Sequence, residues 1–416
     1  MLVLGSRVVG MTMTFVSAPI LAQILGPAGR GVAAAAVAVL TLLPVAVGLG
    51  LPLVIRRQAT RAEGCAPELR SIRLLALVAV GPCAGIGVLL ASQILGEVGG
   101  NVVRVFIVGC CLSPVTVLWI CDANILLAHH RLAAYSLTNV TPPTVLLAGA
   151  LAGWVIGVVS VEYVILLNVS GALATLVLTS SLVRISVTGA RAPVRPLVRE
   201  GLSYAGSQIS EAASMRLDQA IALPIIGATQ AGYYAVAAAI SLVPYAIGQA
   251  LGAAIYRHVA VTEDETRRAS HMTIALRYST VVTAVATLFI ACLVPWCVPF
   301  LFGEDFRDAV APTLLALCGS VAVSVGYVSS GLLAALGRGW AMTRAQLAGL
   351  GIGIGMLLAL GPSLGAIGAA VASSFGFVCA TLLSVRAIGV PVGRFEWRDL
   401  RGAVALFVRG RFDDVS

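Results

Sequence analysis

Three charged residues interrupt the apolar segment "GLSYAGSQISEAASMRLDQAIALPIIG" in the middle of the chain. A polar stripe at the spacing i, i+4, i+7 and i+11 would share one helix face: Ser207, Glu211, Ser214 and Asp218. Arg216 lies roughly 200° around the helix from Asp218 at about 100° per residue, so the two are poor partners within one helix. Carboxylates in an apolar helix can exchange a cation, and the planar fork of arginine can bind an anion. Alternatively, these charges pair with other helices and only hold the fold together.

Further candidates lie in other apolar segments. Asp122, beside Asn124, either faces the mouth of a cavity or pairs with Arg131. Arg7, near the start of the first apolar segment, either binds an anion or extends its side chain to the membrane surface. Several amides could hydrogen-bond a ligand or only a neighbouring helix: Asn139, Asn168, Gln208, Gln249 and Gln346.

The composition is that of a polytopic membrane protein. The 416 residues are 59% hydrophobic and 11% charged, with a mean hydropathy of +0.99, whereas soluble proteins carry about 25% charged residues. All 27 basic residues are arginines scattered through loops, which disfavours nucleic-acid binding. Most of the cysteines lie in apolar segments without a C-x-x-C pair, and the histidines lie in loops, so we predict no metal site and no bound cofactor.

Twelve membrane spans can be placed along the chain, because apolar runs of about 20 residues recur over its whole length. Loops on one side hold 23 of the 27 arginines, and loops on the other side hold three, Arg30, Arg104 and Arg307. Arginine-rich loops are cytoplasmic, so both termini are predicted to be cytoplasmic. The segment around Arg216 must cross as the seventh span, since otherwise every later loop would change sides.

One pattern occurs twice, half a chain length apart. "GPAGRG" and "GATQAG" match at Gly26 with Gly227 and at Gly31 with Gly232, and each precedes a span with a central proline and an arginine at its cytoplasmic end. The glycines permit a tight outer turn and close packing. Six spans separate the copies, so they run parallel, and parallel repeats build transporters with a central cavity. The predicted fold is therefore all-α, with twelve transmembrane helices in two six-helix bundles around a cavity.

The repeat also sets the predicted domain bounds. These are an N-terminal six-helix bundle, a cytoplasmic linker, a C-terminal six-helix bundle and a basic cytoplasmic tail, over residues 1–183, 184–201, 202–386 and 387–416. Apolar residues at helical spacing in the tail predict a helix in the membrane interface, attracted to anionic lipid: Trp397, Leu400, Val404 and Phe407.

Five motifs, in order along nearly the whole chain, resemble the polysaccharide-export (Wzx-type) flippases: "ILGPAGRG", "MRLDQAIALPIIGATQAGYYAVA", "FLFGEDFRDAVAPTLLAL", "LLAALGRGWAMTRAQ" and "GAIGAAVASS". That family shares a superfamily with the lipid II flippase MurJ and the MATE drug exporters. The resemblance implies a V-shaped pair of six-helix bundles in the bacterial plasma membrane. It also implies a polyprenyl-diphosphate-linked oligosaccharide cargo, moved between leaflets without any bond being made or broken, so no enzyme activity is expected.

Such a cargo needs a wet cavity with cationic and amide groups, because unsatisfied polar groups are costly in hydrocarbon. The substrate-binding candidates are Arg216, Arg7, Gln208, Asn139 and Gln249. The candidates for taking up a coupling proton or sodium ion are Asp218, Glu211 and Asp122. Membrane lipid, and a glycan polymerase or ligase, are the expected partners.

Three alternatives compete with this function. A MATE-type antiporter of cationic drugs would need cavity carboxylates without a compensating arginine, and Arg216 competes with that. A lipid II flippase would be expected to carry several basic residues in the first spans, where only Arg7 occurs. A membrane scaffold without transport would need no charge inside the seventh span.

Overall fold

In the computed structural model the chain is all-helical over the residues that the structure describes, which are 2–60, 65–96, 98–246, 248–249 and 264–389. The predicted tail helix lies outside these residues. A short 3₁₀ turn occupies Glu304–Ala309. The α-helices are α1 (Leu2–Val47), α2 (Leu51–Gln58), α3 (Ala66–Ile94), α4 (Gly100–Cys111), α5 (Ser113–Ala128), α6 (Leu132–Ile156), α7 (Val161–Val183), α8 (Val194–Ile226), α9 (Ala228–Ser241), α10 (Glu265–Phe302), α11 (Val310–Ala335) and α12 (Gly339–Ile388).

Glycines break the two longest helices near their middles. In α1, Gly26 adopts φ 66° and ψ 177°, and in α12, Gly365 adopts φ 57° and ψ −130°. At about 1.5 Å per residue, each of these helices is more than twice as long as the roughly 30 Å hydrocarbon core. Each is therefore long enough for two crossings joined at the glycine, where only a residue without a Cβ adopts such angles readily.

Eight helices in the described part of the chain are long and apolar enough to cross a membrane. Large apolar side chains on their outer faces are exposed: Trp154 by 61%, Trp296 by 71% and Phe300 by 83%. Exposure on this scale suits contact with lipid, and tryptophans near helix ends match the aromatic belts of membrane proteins. The charged helix α8 is not one of the eight, because its polar residues lower its hydropathy.

The chain divides into two compact units, Met1–Gly232 (unit 1) and Tyr233–Ser416 (unit 2). In unit 1, α1 packs against α6 and α8. The second half of α1 is rich in alanines with no exposed surface, Ala33, Ala35 and Ala36, and such small residues let helix backbones approach closely in a membrane. The six-helix bundle bounds, which follow the sequence repeat, divide the chain differently and stay a prediction.

The two copies of the repeated turn contact each other within unit 1. A Cβ added to Gly31 would overlap the carbonyl oxygen of Ala228, and a Cβ added to Gly232 would overlap the carbonyl oxygen of Pro27. Pro27 and Ala228 are themselves equivalent positions of the repeat. The contact is thus reciprocal, as in a two-fold interface, and it puts both turns at the same end of unit 1, as a parallel repeat requires.

Unit 2 is held together by hydroxyl groups that bond across a helix interface. Ser374 Oγ donates to the Leu315 carbonyl oxygen at 3.0 Å, and Thr381 Oγ1, seven residues later, donates to the Ala322 carbonyl oxygen at 2.6 Å. Each hydroxyl from α12 lies over a glycine of α11: Gly319 and Gly326. Small residues bring the helices close enough for these bonds, which stabilise membrane helix pairs by about 0.6–2 kcal/mol each.

Candidate functional site

The charged residues of α8 do not pack into the core of unit 1. The side chains of Glu211 and Arg216 are exposed, and that of Asp218 is partly buried. Since α8 has 33 residues, it is about 50 Å long, enough to cross a membrane. Glu211 and Arg216 lie well inside that length rather than at the ends of the helix.

Arg216 bonds to a neutral amide on its own helix. Its NH1 donates to Gln219 Oε1 at 3.3 Å, while the backbone N–H of Gln219 donates to Asp218 Oδ1 at 2.7 Å. Asp218 is also close enough to Arg216 for a favourable electrostatic interaction. Arginine carries five N–H donors in a fixed fork, so this arrangement orients the guanidinium and leaves donors for a ligand.

Arg30 is a second arginine of this site, and it is not among the binding residues that the sequence predicts. The sequence predicts Arg30 in an outer loop, whereas it lies inside α1, one turn after the break at Gly26, with a partly buried side chain. Its Nε–H is buried and donates no hydrogen bond to any residue in the described part of the chain. Its guanidinium lies close enough to Arg216 for the two to repel each other, which concentrates positive charge between α1 and α8.

The other predicted binding residues are more dispersed. On α8, Gln208 is partly buried. Asn139 Nδ2 donates to the Tyr135 carbonyl oxygen of its own helix α6 at 3.4 Å. Arg7 is exposed in the second turn of α1, and Gln249 is partly buried in unit 2. The structure therefore groups Gln208 with Arg216 on one helix and does not bring Asn139 into that group.

Asp122 lies in a separate, closed environment in the second half of α5. It is 1% exposed, and its Oδ2 accepts hydrogen bonds from Thr179 Oγ1 at 3.3 Å and Ser180 Oγ at 3.0 Å. Its charged partner is Arg73 NH2, 3.8 Å from Oδ1. The alternative in which Asp122 pairs with Arg131 is not observed, because that arginine donates instead to the Leu182 carbonyl oxygen at the end of α7, at 2.7 Å.

The site on α1 and α8 suits an anion better than a metal. Among the described residues, no group of three or more His, Cys, Asp or Glu side chains is placed to hold a metal ion. Each arginine would cost about 2.5–3.5 kcal/mol at mid-membrane if it faced lipid. Two neighbouring arginines add mutual repulsion to that cost, and a bound dianion would relieve both.

The first part of the chain, which holds this site, matches a known protein family. Residues 1–250 match the family described as "Polysaccharide biosynthesis protein". The chain belongs to this family. The match covers all of unit 1, including both arginines, and it confirms the resemblance that the motifs carry. Among the curated proteins, no relative matches.

Solved structures place this member of the polysaccharide biosynthesis family in a known transporter fold. It is similar to the lipid II flippase MurJ in an inward closed conformation, with a TM-score of 0.75, 13% identity and coverage of 97% of this chain and 90% of that one. It is also similar to an inward-facing MATE transporter of the MOP superfamily, with a TM-score of 0.70, 16% identity and coverage of 91% and 94%. A Vibrio cholerae MATE transporter gives a TM-score of 0.63 at 11% identity, with coverage of 93% and 94%.

Identities this low show the fold alone. The prediction of an all-helical, multi-pass membrane protein is confirmed, and the chain has the fold of the MurJ and MATE transporters.

Proposed function

We propose that this protein is a flippase that moves polyprenyl-diphosphate-linked oligosaccharide repeat units across the bacterial plasma membrane for cell-surface polysaccharide biosynthesis. Two six-helix bundles, twelve spans in all with both termini cytoplasmic, alternate their access to the two sides. The observation that carries the proposal is the proximity of Arg30 and Arg216 on neighbouring helices, in a family named for polysaccharide biosynthesis.

The two arginines match the chemistry of a diphosphate. Each guanidinium can donate two parallel hydrogen bonds to phosphate oxygens, and charge-assisted bonds of this kind are about twice as strong as neutral ones. A cationic drug would instead be repelled by the pair, so the arginines argue against a MATE-type antiporter. Gln208, on the same helix as Arg216, supplies amide groups for sugar hydroxyls, and Arg7, Asn139 and Gln249 are further contacts in this proposal.

The acids of α8 serve the coupling ion. Glu211 is exposed and Asp218 is partly buried beside Arg216, so both are accessible to a proton or sodium ion entering the same space. Binding of the diphosphate to Arg216 would weaken its attraction for Asp218 and free the carboxylate for the ion. Transport by Asp218→Asn and Glu211→Gln variants should then lose its dependence on the ion gradient.

The proposal is tested by deleting the gene in its own host and measuring the polyprenyl-diphosphate-linked glycans by mass spectrometry. A complete repeat unit should accumulate while surface polysaccharide disappears. An unchanged glycolipid pool with raised sensitivity to cationic dyes would contradict the proposal and favour the antiporter.

Complementation then tests the two arginines. Loss of a charge-assisted bond costs about 1.5–3 kcal/mol, or about 10- to 150-fold in affinity, so Arg30→Gln and Arg216→Gln should each lose most flipping activity. Arg104→Gln is the matched control, since Arg104 is an exposed arginine of α4 in the same unit. Full complementation by both site variants would remove the arginines from the mechanism.

A further inference from the structure

The segment that connects the two repeats is bound to helix α3 along its length. Residues 184–193, here named the strap, join the end of α7 to the start of α8 without helical structure. Arg70 of α3 donates from Nε to the Ser186 carbonyl oxygen and from NH1 to the Ala190 carbonyl oxygen, both at 3.0 Å. Gly189 lies over that guanidinium with φ 127°, and a Cβ there would be 2.8 Å from Arg70 Cζ. One arginine thus closes the middle of the strap into a fixed loop.

The end of the strap is bound to the first two turns of α3. Ser71 Oγ donates to the Ala192 carbonyl oxygen at 2.6 Å, and the backbone N–H of Ala192 donates to the Pro67 carbonyl oxygen at 3.2 Å. Ile185 and Ala192 also pack against the buried apolar cluster around Leu69. A free chain of this length would have a root-mean-square span of about 18 Å, so these contacts remove the slack of a flexible linker.

The beginning of the strap is held by Arg73. Its NH1 donates to the Ile185 carbonyl oxygen at 2.9 Å, and its NH2 lies 3.8 Å from Asp122 Oδ1. The arginine side chain is 15% exposed and the carboxylate 1%. Hydrogen bonds to Thr179 and Ser180 fix the other oxygen of that carboxylate. The strap is thereby tied to α3, α5 and α7 through one buried carboxylate.

We propose that Asp122 is a positioning residue, which acts through Arg73 to fix the strap on α3, so that movement of the first repeat is transmitted to α8 without slack. The transmission of movement to α8 rests on the proposed alternating-access function, whereas the docking of the strap on α3 does not. A coupling acid must be reached by its ion in each cycle. Asp122 is closed off and already bonded by two hydroxyls, so its geometry fits a structural role better than an ion-coupling one.

The docking is tested by hydrogen–deuterium exchange of the full chain in lipid nanodiscs, followed in a peptide that spans residues 185–192. Asp122→Asn keeps an oxygen for the two hydroxyls but removes the charge that holds Arg73. It should speed exchange of this peptide by about tenfold or more, since a locally opened segment exchanges without global unfolding. Arg73→Gln should do the same, and the double variant should exchange no faster than either single variant.

Arg131→Gln is the matched control, because Arg131 also donates to a backbone carbonyl near the end of α7 but at Leu182, before the strap. It should leave the peptide unchanged. Unchanged exchange in both Asp122→Asn and Arg73→Gln, or additive effects in the double variant, would overturn the proposal. If Asp122→Asn does not fold, Ser180→Ala removes one bond to the carboxylate and retains its charge. Ser180→Ala should accelerate hydrogen–deuterium exchange by a smaller factor, and only in the same peptide. If exchange of that peptide is not accelerated, the proposal is also overturned.

Transport separates positioning from ion coupling. In the complementation assay, Asp122→Asn and Arg73→Gln should slow flipping while leaving its dependence on the ion gradient unchanged. Loss of that dependence in Asp122→Asn alone would overturn the positioning role. Because the exchange experiment needs no cargo, it stands even if the proposed cargo is wrong.

Discussion

Replacing Gly232 by alanine should break the contact between the two repeated turns. The new Cβ would overlap the Pro27 carbonyl oxygen and lie 2.7 Å from its carbonyl carbon and 3.1 Å from its Cα. All three are backbone atoms, so no rotamer change relieves the overlap, and α1 and α9 must move apart. Overpacking of this kind costs about 1–3 kcal/mol, offset by about 1 kcal/mol of improved helix propensity.

The net loss of up to about 2 kcal/mol corresponds to a fall of up to roughly 8 °C in apparent Tm for a unit of this size. It can be measured by thermal unfolding of the purified protein in lipid nanodiscs. Gly206→Ala on α8 is the control, because a Cβ there meets nothing within 4 Å, and it should be neutral or stabilising. Gly31→Ala should resemble Gly232→Ala, and the double variant should cost less than the sum, since either change already separates the turns. A Tm for Gly232→Ala equal to that of the control would refute the reciprocal contact.

Three further predictions concern single groups. The ion pair of Arg57 with Glu200, at 2.7 Å, is 54% and 22% exposed, so Arg57→Gln should cost less than about 1 kcal/mol and shift Tm by only a few degrees. Burial, followed by the nearby acids, raises the pKa of the Cys65 thiol to about 11, so maleimide at pH 7.5 should label it only after denaturation, as mass spectrometry of its peptide can show. Thr381→Val removes the bond to the Ala322 carbonyl at nearly constant volume, so it should lower stability by about 0.6–2 kcal/mol. An unchanged Tm would assign the α11–α12 contact to packing alone.

The backbone at the repeated turns could be predicted from the sequence, because glycine at a tight turn has a local physical cause. Gly26 and Gly227 do adopt positive φ, 66° and 80°. That the two turns touch could not be predicted, since the contact joins residues far apart in the chain and depends on how α1 packs against α8. The sequence repeat predicts equivalence of the two turns, and only the fold brings Gly31 onto Ala228.

The candidate site shows the same limit. The charges of α8 were found because they interrupt an apolar run, which one segment reveals by itself. The sequence predicts Arg30 in a loop because it sits between two glycines beside a turn, whereas its partial burial and its proximity to Arg216 of α8 are tertiary properties. The partner of Asp122 was sought nearby in the sequence at Arg131, whereas the fold supplies Arg73 from an earlier helix. Charge pairs within a helix follow its periodicity, but pairs between helices follow packing.

A duplicated chain nonetheless offers one local signal for the site. Where the two copies agree, at Gly31 and Gly232, the shared residue is required by a backbone contact that both halves make. Where the two copies differ inside the same turn, no shared backbone contact requires the residue. The position equivalent to Arg30 in the second copy is Ala231, which is 4% exposed. The packing tolerates a small buried residue at this position, so packing does not require the arginine, and a partly buried charge in a membrane helix is costly. The cost is understandable if Arg30 binds an anion, and this asymmetry between equivalent positions therefore singles out Arg30 for the first complementation test.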